Sequence, residues 1–221
     1  MVSAKCYICN SSKYSIFTSV KDDITDELFT IVECVCDFCY VYPRPAQDKM
    51  GKYYKLSSYH PHSKGSGLLY SIYKLIQKIT FRNKFKLLKK YSTLDFSHLD
   101  YGGGDGSFSR YLNKNKNIFS SYFDPFYEDS PTIDFDNASF NMITLWHVLE
   151  HSYDLDLLFK DIDNSLTETG LLFIAVPNIE ALERPIYLDK WAAYDVPRHL
   201  YHFSNKTLSE LLDKKGYKSQ N

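Results

Sequence analysis

Three groups of residues stand at spacings that do chemistry. The first is the run Asp100-Tyr101-Gly102-Gly103-Gly104-Asp105-Gly106. Residues 96–100 alternate like a strand entering it, and Ser107 to Leu112 reads as the start of a helix. Glycines let the chain turn tightly and bring its backbone against a ligand. The helix that follows offers N–H groups with no partner in its own first turn. No Lys-Ser or Lys-Thr follows the glycines, which excludes a P-loop, whereas dinucleotide folds use a similar loop and stay open. Asp124 ends the next strand-like run, residues 117–123, 18 residues after Gly106. A carboxylate there can accept hydrogen bonds from both hydroxyls of a ribose.

The second group is sulfur. Cys6-Tyr7-Ile8-Cys9 and Cys36-Asp37-Phe38-Cys39 are two C-x-x-C pairs with 26 residues between them. Four thiolates can surround Zn²⁺ tetrahedrally, and a metal can replace the core that so short a segment lacks. The rival is a redox dithiol, which needs one pair in a βαβ context. Cys34 reads as a small buried apolar residue. The third group is histidine, the side chain that exchanges protons near neutral pH. His151, His199 and His202 are the candidate bases. His147 and His151 lie at i, i+4, but the zinc-protease pattern needs Glu directly after the first His, and Val148 stands there.

Charge segregation marks the elements that must position these groups. The chain has 221 residues and a net charge of −1, yet residues 49–92 carry eleven Lys and Arg and no acid. This divides the chain into 1–48, small strands and turns around the cysteines; 49–92, a basic loop and helix; and 93–221, alternating strand-like and helix-like segments that signal an α/β domain with a mainly parallel sheet. In the basic part Leu68, Leu69, Ile72, Leu75, Ile76 and Ile79 fall at helical spacing, with Lys74 and Lys78 on another side. The basic segment suits a polyanion or the acidic part that follows it. No RNA-binding module motif appears. No apolar run is long enough to span a membrane, and the start of the chain lacks the apolar core of a signal peptide, so a cytoplasmic protein is expected.

Residues 93–217 resemble a class I S-adenosylmethionine (SAM)-dependent methyltransferase, through Asp100–Gly106, residues 140–151 as a fourth strand with the Val148-Leu149-Glu150-His151 motif that follows it, and residues 170–178 as a fifth. Asp195-Val196-Pro197-Arg198-His199-Leu200-Tyr201-His202-Phe203-Ser204 is similar to a signature of the subfamily found beside sugar and glycan biosynthesis. Many members of that subfamily begin with a zinc ribbon, then a Pro-Arg-Pro stretch and paired tyrosines, like Pro43-Arg44-Pro45 and Tyr53-Tyr54. The resemblance implies a Rossmann-like sheet with a small N-terminal zinc ribbon, with Cys6, Cys9, Cys36 and Cys39 as ligands. It implies Asp100 and Gly102, Gly103, Gly104 and Gly106 at the methionine end of SAM, Asp124 at the ribose, and Pro125 and Phe126 beside the adenine. Trp146 and His147 would line the pocket behind the sulfonium, and His199 would be the favoured base toward a small-molecule acceptor. Tyr53, Tyr54, Tyr59, His60 and His62 would form a lid.

Three departures from that pattern carry expectations. The knuckles usually place Gly after the second Cys, and here Asn10 and Tyr40 stand there. Only 15 residues separate Asp124 from Phe140, too few for a helix and a third strand, so the adenine-binding acid falls to Asp134 or Asp136. The sheet's last two strands are also missing from the sequence, leaving five and an edge that a homodimer or another partner would cover. Two further readings stay open: a degenerate fold acting as a scaffold, and an RNA-directed enzyme using the basic segment.

Overall fold

The computed structural model describes residues 5–54, 68–92, 96–116 and 118–218. Its elements in chain order are β1 (Tyr14–Lys21), β2 (Leu28–Cys34), β3 (Cys39–Val41), α1 (Leu68–Lys90), β4 (His98–Tyr101), α2 (Ser107–Lys116), β5 (Ser120–Phe123), β6 (Phe140–Trp146), α3 (Leu155–Ser165), β7 (Leu166–Ala175), α4 (Arg184–Tyr187), β8 (Tyr201–His202) and α5 (Asn205–Lys214). They form two compact units that interleave along the sequence. One holds residues 1–59, 147–155 and 176–221; the other holds 60–146 and 156–175.

The first unit is built on an antiparallel sheet in the order β1-β2-β3-β8. The β1–β2 turn is set by Asp22, whose Oδ2 accepts from the backbone N–H and the hydroxyl of Thr25 at 2.8 and 2.7 Å. β8 comes from far along the chain and pairs with β3 at Cys39–His202 and Tyr40–Tyr201. Arg198 anchors the segment before β8. Its guanidinium donates to Asp22 Oδ1, to the Tyr53 carbonyl and to Asp195 Oδ1, each at 2.8 Å. Arg198 and Asp22 are both buried, and pairing with further hydrogen bonds is what makes such charges tolerable inside. Ile31, Val41, Met50, Trp191, Tyr194 and Val196 fill the core. Tyr53 belongs to that core too, with its hydroxyl donating to Glu27 at 2.7 Å, so it is not the lid residue expected from the sequence. Tyr59, His60 and His62 lie outside the described residues.

The second unit carries a four-stranded parallel sheet in the order β5-β4-β6-β7. The chain starts in the middle at β4, runs one way to β5, then crosses to β6 on the other side. At such a reversal, beyond the carboxyl ends of the strands, open α/β sheets bind ligands. Asp100, Asp124 and Trp146 all lie at those ends. Leu88, Phe96, Phe108, Leu112, Ile118 and Met142 form the core. The sheet has four strands where the sequence suggested five. Residues 124–139 form turns, with neither helix nor third strand, and among the described residues no strand follows α5. α1 also differs in facing. Its spacing predicts the helix, but Ile72, Leu75, Ile76 and Ile79 are exposed, and Phe81, Phe85 and Leu88 pack on the core.

Candidate active site and thiol cluster

The glycine loop does what its composition suggests, for reasons that differ from residue to residue. Gly102, Gly104 and Gly106 have φ of 73°, 54° and 69°, the left-handed region that side chains rarely adopt. Gly103 is held by space instead, since a Cβ there would lie 2.9 Å from the Asp100 carbonyl and 3.0 Å from its Oδ2. A Cβ on Gly106 would run into the Tyr122 ring, whereas one on Gly104 would meet open space. Gly106→Ala therefore combines ring overlap with a left-handed penalty of about 1–2 kcal/mol. Its thermal midpoint is expected to drop by several degrees in a denaturation scan, and an unchanged midpoint would contradict this packing.

Asp100 is fully buried beneath the loop. Thr144 donates its hydroxyl to Asp100 Oδ1 at 2.7 Å, and His98 bridges Thr144 at 3.0 Å and Ser120 at 2.7 Å. Burial pushes the Asp100 carboxyl up to about 6, against the lowering effect of the Thr144 hydrogen bond and of the Lys84 charge. Burial also pulls Lys84 below its usual range. Its ammonium lies 4.5 Å from the centroid of the Trp146 ring. Trp146 Nε1 is buried and has no partner among the described residues.

Asp124 closes the loop from the neighbouring strand. Its Oδ2 accepts from the Gly104 N–H and its Oδ1 from the Phe126 N–H, both at 2.9 Å. Pro125 and Phe126 are exposed. The two acids suggested for adenine are engaged elsewhere: Asp134 accepts from Asn137, and Asp136 from Asn164.

The candidate bases belong to the other unit, and the structure gives each different surroundings. His199 Nδ1 sits 2.9 Å from the Ala193 carbonyl and His151 Nδ1 sits 3.0 Å from the Arg198 carbonyl. A carbonyl only accepts, so each Nδ1 carries the proton and each neutral ring keeps Nε2 as a proton acceptor. The two rings meet edge to face at 4.6 Å. Glu150, His151 and His199 each place a ligand-capable atom within 4.8 Å of the others. Glu150 is buried. Its Oε1 lies 3.2 Å from His147 Nδ1, and its Oε2 has no partner among the described residues. Burial lowers the His151 pKa, helped by the His199 charge. His202 is not a base. It is fully buried, donates from Nε2 to the Tyr194 carbonyl at 3.1 Å, and burial holds its pKa at about 3. His147 is an exposed residue with φ of 58°.

The thiols converge, with one exchange. Cys6, Cys9 and Cys36 come together with Cys34, and the four sulfurs lie within 4.8 Å of one another. Cys6 and Cys36 Sγ are 3.6 Å apart, and Cys9 and Cys34 Sγ are 3.5 Å apart. Cys39 is instead the first residue of β3, paired with Glu33 and His202 and buried in the hydrophobic core. The two residues that turn left-handed behind the sulfurs are Asn10 and Asp37, at φ of 61° and 68°. Asn and Asp tolerate that region best among residues with side chains, so the unfavourable tyrosine expected at Tyr40 is not in that position. Burial pushes the Cys36 thiol up to about 11 and raises Cys6 further.

A family model described as a methyltransferase domain matches residues 69–220, well over half of the chain. The chain belongs to this family. No curated protein matches it, while 28 chains of solved structures do. One of these is the crystal structure of a SAM dependent methyltransferase from Archaeoglobus fulgidus, at 19% identity and a TM-score of 0.48, covering 64% of this chain and 69% of that one. The protein carries a methyltransferase domain. Its residues fit the cofactor: the methyltransferase loop has open space over Gly104, a buried carboxylate beneath it, and an orphaned indole N–H at Trp146. The thiols fit a metal. With Zn–S bonds of about 2.3 Å, tetrahedral sulfurs stand about 3.8 Å apart, close to the 3.6 and 3.5 Å of the Cys6–Cys36 and Cys9–Cys34 pairs. Sequence reasoning missed Lys84, Thr144, Arg198 and Glu150. It also passed over Cys34, whose only signal was the C-x-C spacing with Cys36.

Proposed function

We propose that this methyltransferase transfers a methyl group to a hydroxyl of a small molecule of the sugar, nucleotide-sugar or glycan-precursor class. The observation that carries the mechanism is the hydrogen bond from His199 Nδ1 to the Ala193 carbonyl. It orients the ring and leaves Nε2 to take the acceptor's proton, with Asp195 Oδ2 3.7 Å from that nitrogen to favour the imidazolium that forms. His151 braces His199 through ring contact. When bound, SAM supplies a methyl group already activated on a sulfonium. Asp100 and the glycine loop would hold its methionine end, Asp124 its ribose, Pro125 and Phe126 its adenine, and Trp146 and His147 the region behind the sulfur. The protein's share is positioning and exclusion of water. The acceptor class rests on the likeness of residues 195–204 to the subfamily signature. Structural Zn²⁺ on Cys6, Cys9, Cys34 and Cys36 is part of the same reading.

Calorimetric titration of SAM tests the cofactor roles. Saturable binding is expected, weakened tenfold or more by Asp124→Ala, since hydrogen bonds to a charged group contribute about 1.5–3 kcal/mol. Incubation with nucleotide-sugars should then release S-adenosylhomocysteine. Binding without release from any hydroxylated acceptor would favour a scaffold. The Asp100 pKa of about 6 adds a pH dependence. An ammonium-bearing ligand prefers the ionised carboxylate, so SAM affinity should fall as pH drops through about 6 and level off above it. Asp100→Asn should bind weakly with a flat profile, and a steep profile in that variant would assign the dependence to another group.

A further inference from the structure

α1 has two apolar faces, and the core uses one. At about 100° per residue, Phe81, Phe85 and Leu88 share the side that packs on the second unit's core. Ile72, Leu75, Ile76 and Ile79 share the opposite side and are 45%, 59%, 57% and 49% exposed. Burying an aliphatic side chain is worth about 1.5–3 kcal/mol, so a stripe of four left in water calls for a partner. Charge says which. The helix carries seven Lys and Arg and no acid, and Lys78, Arg82, Lys86 and Lys89 follow one border of the stripe. No helix among the described residues is long and apolar enough to cross a membrane. A face of this kind lies in the plane of an interface instead, with its apolar side in the headgroup–acyl boundary and its cations on anionic headgroups.

We propose that α1 docks the protein on an anionic lipid surface, with Ile72, Leu75, Ile76 and Ile79 inserted and the bordering lysines and arginine on the headgroups. A second copy of the helix is a poor occupant, because the bordering cations of the two helices would meet with no acid on either helix between them. A nucleic acid would satisfy the cations and leave the aliphatic stripe in water.

Co-sedimentation of the full chain with lipid vesicles tests this. Binding is expected to vesicles of phosphatidylcholine with phosphatidylglycerol, to fall as salt rises, and to be absent with phosphatidylcholine alone. Lys78→Glu and Arg82→Glu should each weaken binding at least fivefold, since one cation near the surface is worth about that factor. Ile76→Asp should weaken it about tenfold or more. All three sites are exposed, and unchanged thermal midpoints would show that the variants fold. Equal binding to both vesicle types overturns the proposal, as does full binding by Ile76→Asp. So does a solution dimer lost in Ile76→Asp, or RNA retained equally by Ile76→Asp, where vesicles are not bound.

Discussion

Cys34→Ser is expected to strip the protein of bound zinc, while Cys39→Ala leaves the metal in place. The contrast follows from the two positions. Cys34 Sγ lies 3.5 Å from Cys9 Sγ within the four-sulfur cluster. Cys39 Sγ is buried in the core and donates to the Asp37 carbonyl at 3.8 Å. A structural zinc site contributes on the order of 10 kcal/mol or more to folding in small metal-dependent units, and losing one thiolate removes much of that. Elemental analysis of dialysed protein should read one zinc per chain in the parent and in Cys39→Ala, and well under one in Cys34→Ser. The melting transition of the first unit should fall sharply in Cys34→Ser alone. Cys39→Ala removes only a small buried apolar group and should cost about 1 kcal/mol. Zinc lost from Cys39→Ala and kept by Cys34→Ser would restore the two C-x-x-C pairs as the ligand set.

His199→Ala should lower turnover by about 10²–10⁴, the usual worth of a positioned general base, and leave SAM affinity unchanged. The measurements are single-turnover methyl transfer and SAM titration on the same preparation. Because the Nδ1 bond to Ala193 orients the ring, His199→Asn keeps a polar side chain but has no titratable nitrogen, and it should be nearly as slow as Ala. The pH–rate profile of either variant should differ in shape from the parent's. His202→Ala gives the opposite pattern. With its pKa held at about 3 by burial, His202 does not titrate near neutrality. Removing it should destabilise the fold and leave the profile's shape intact. Turnover preserved in His199→Ala would transfer the proton-accepting role to His151, whose Nε2 is kept free by the same device.

Much of the glycine loop and of the acids beside it was legible in the sequence. The glycine spacing, the acid before it and the acid ending the next strand are local patterns, set by backbone conformation over a few residues. Gly102, Gly104 and Gly106 have the positive φ that a loop of this kind demands. The short stretch between Asp124 and Phe140 was legible by length alone, and it forms only turns. Periodicity likewise located α1. It could not say which face is buried, because both faces carry apolar residues and only contact with Phe108 and Leu112 selects Phe81, Phe85 and Leu88.

The sequence by itself determined the methyltransferase loop, the parallel α/β sheet and the presence of a thiol cluster. Tertiary structure decided the fourth thiol, the surroundings of each histidine and the path of the C-terminal segment. Cys34, Cys36 and Cys39 lie so close in sequence that spacing admits more than one set of ligands. Strand pairing breaks the tie by sending Cys39 into the core opposite Glu33 and His202. His151, His199 and His202 are chemically identical until burial and a carbonyl partner fix each ring. β8 joins β3, and Arg198 reaches Asp22, across more than 150 residues of chain. Local pattern carries no record of such contacts, because closing so long a loop is favourable only once the whole core has formed.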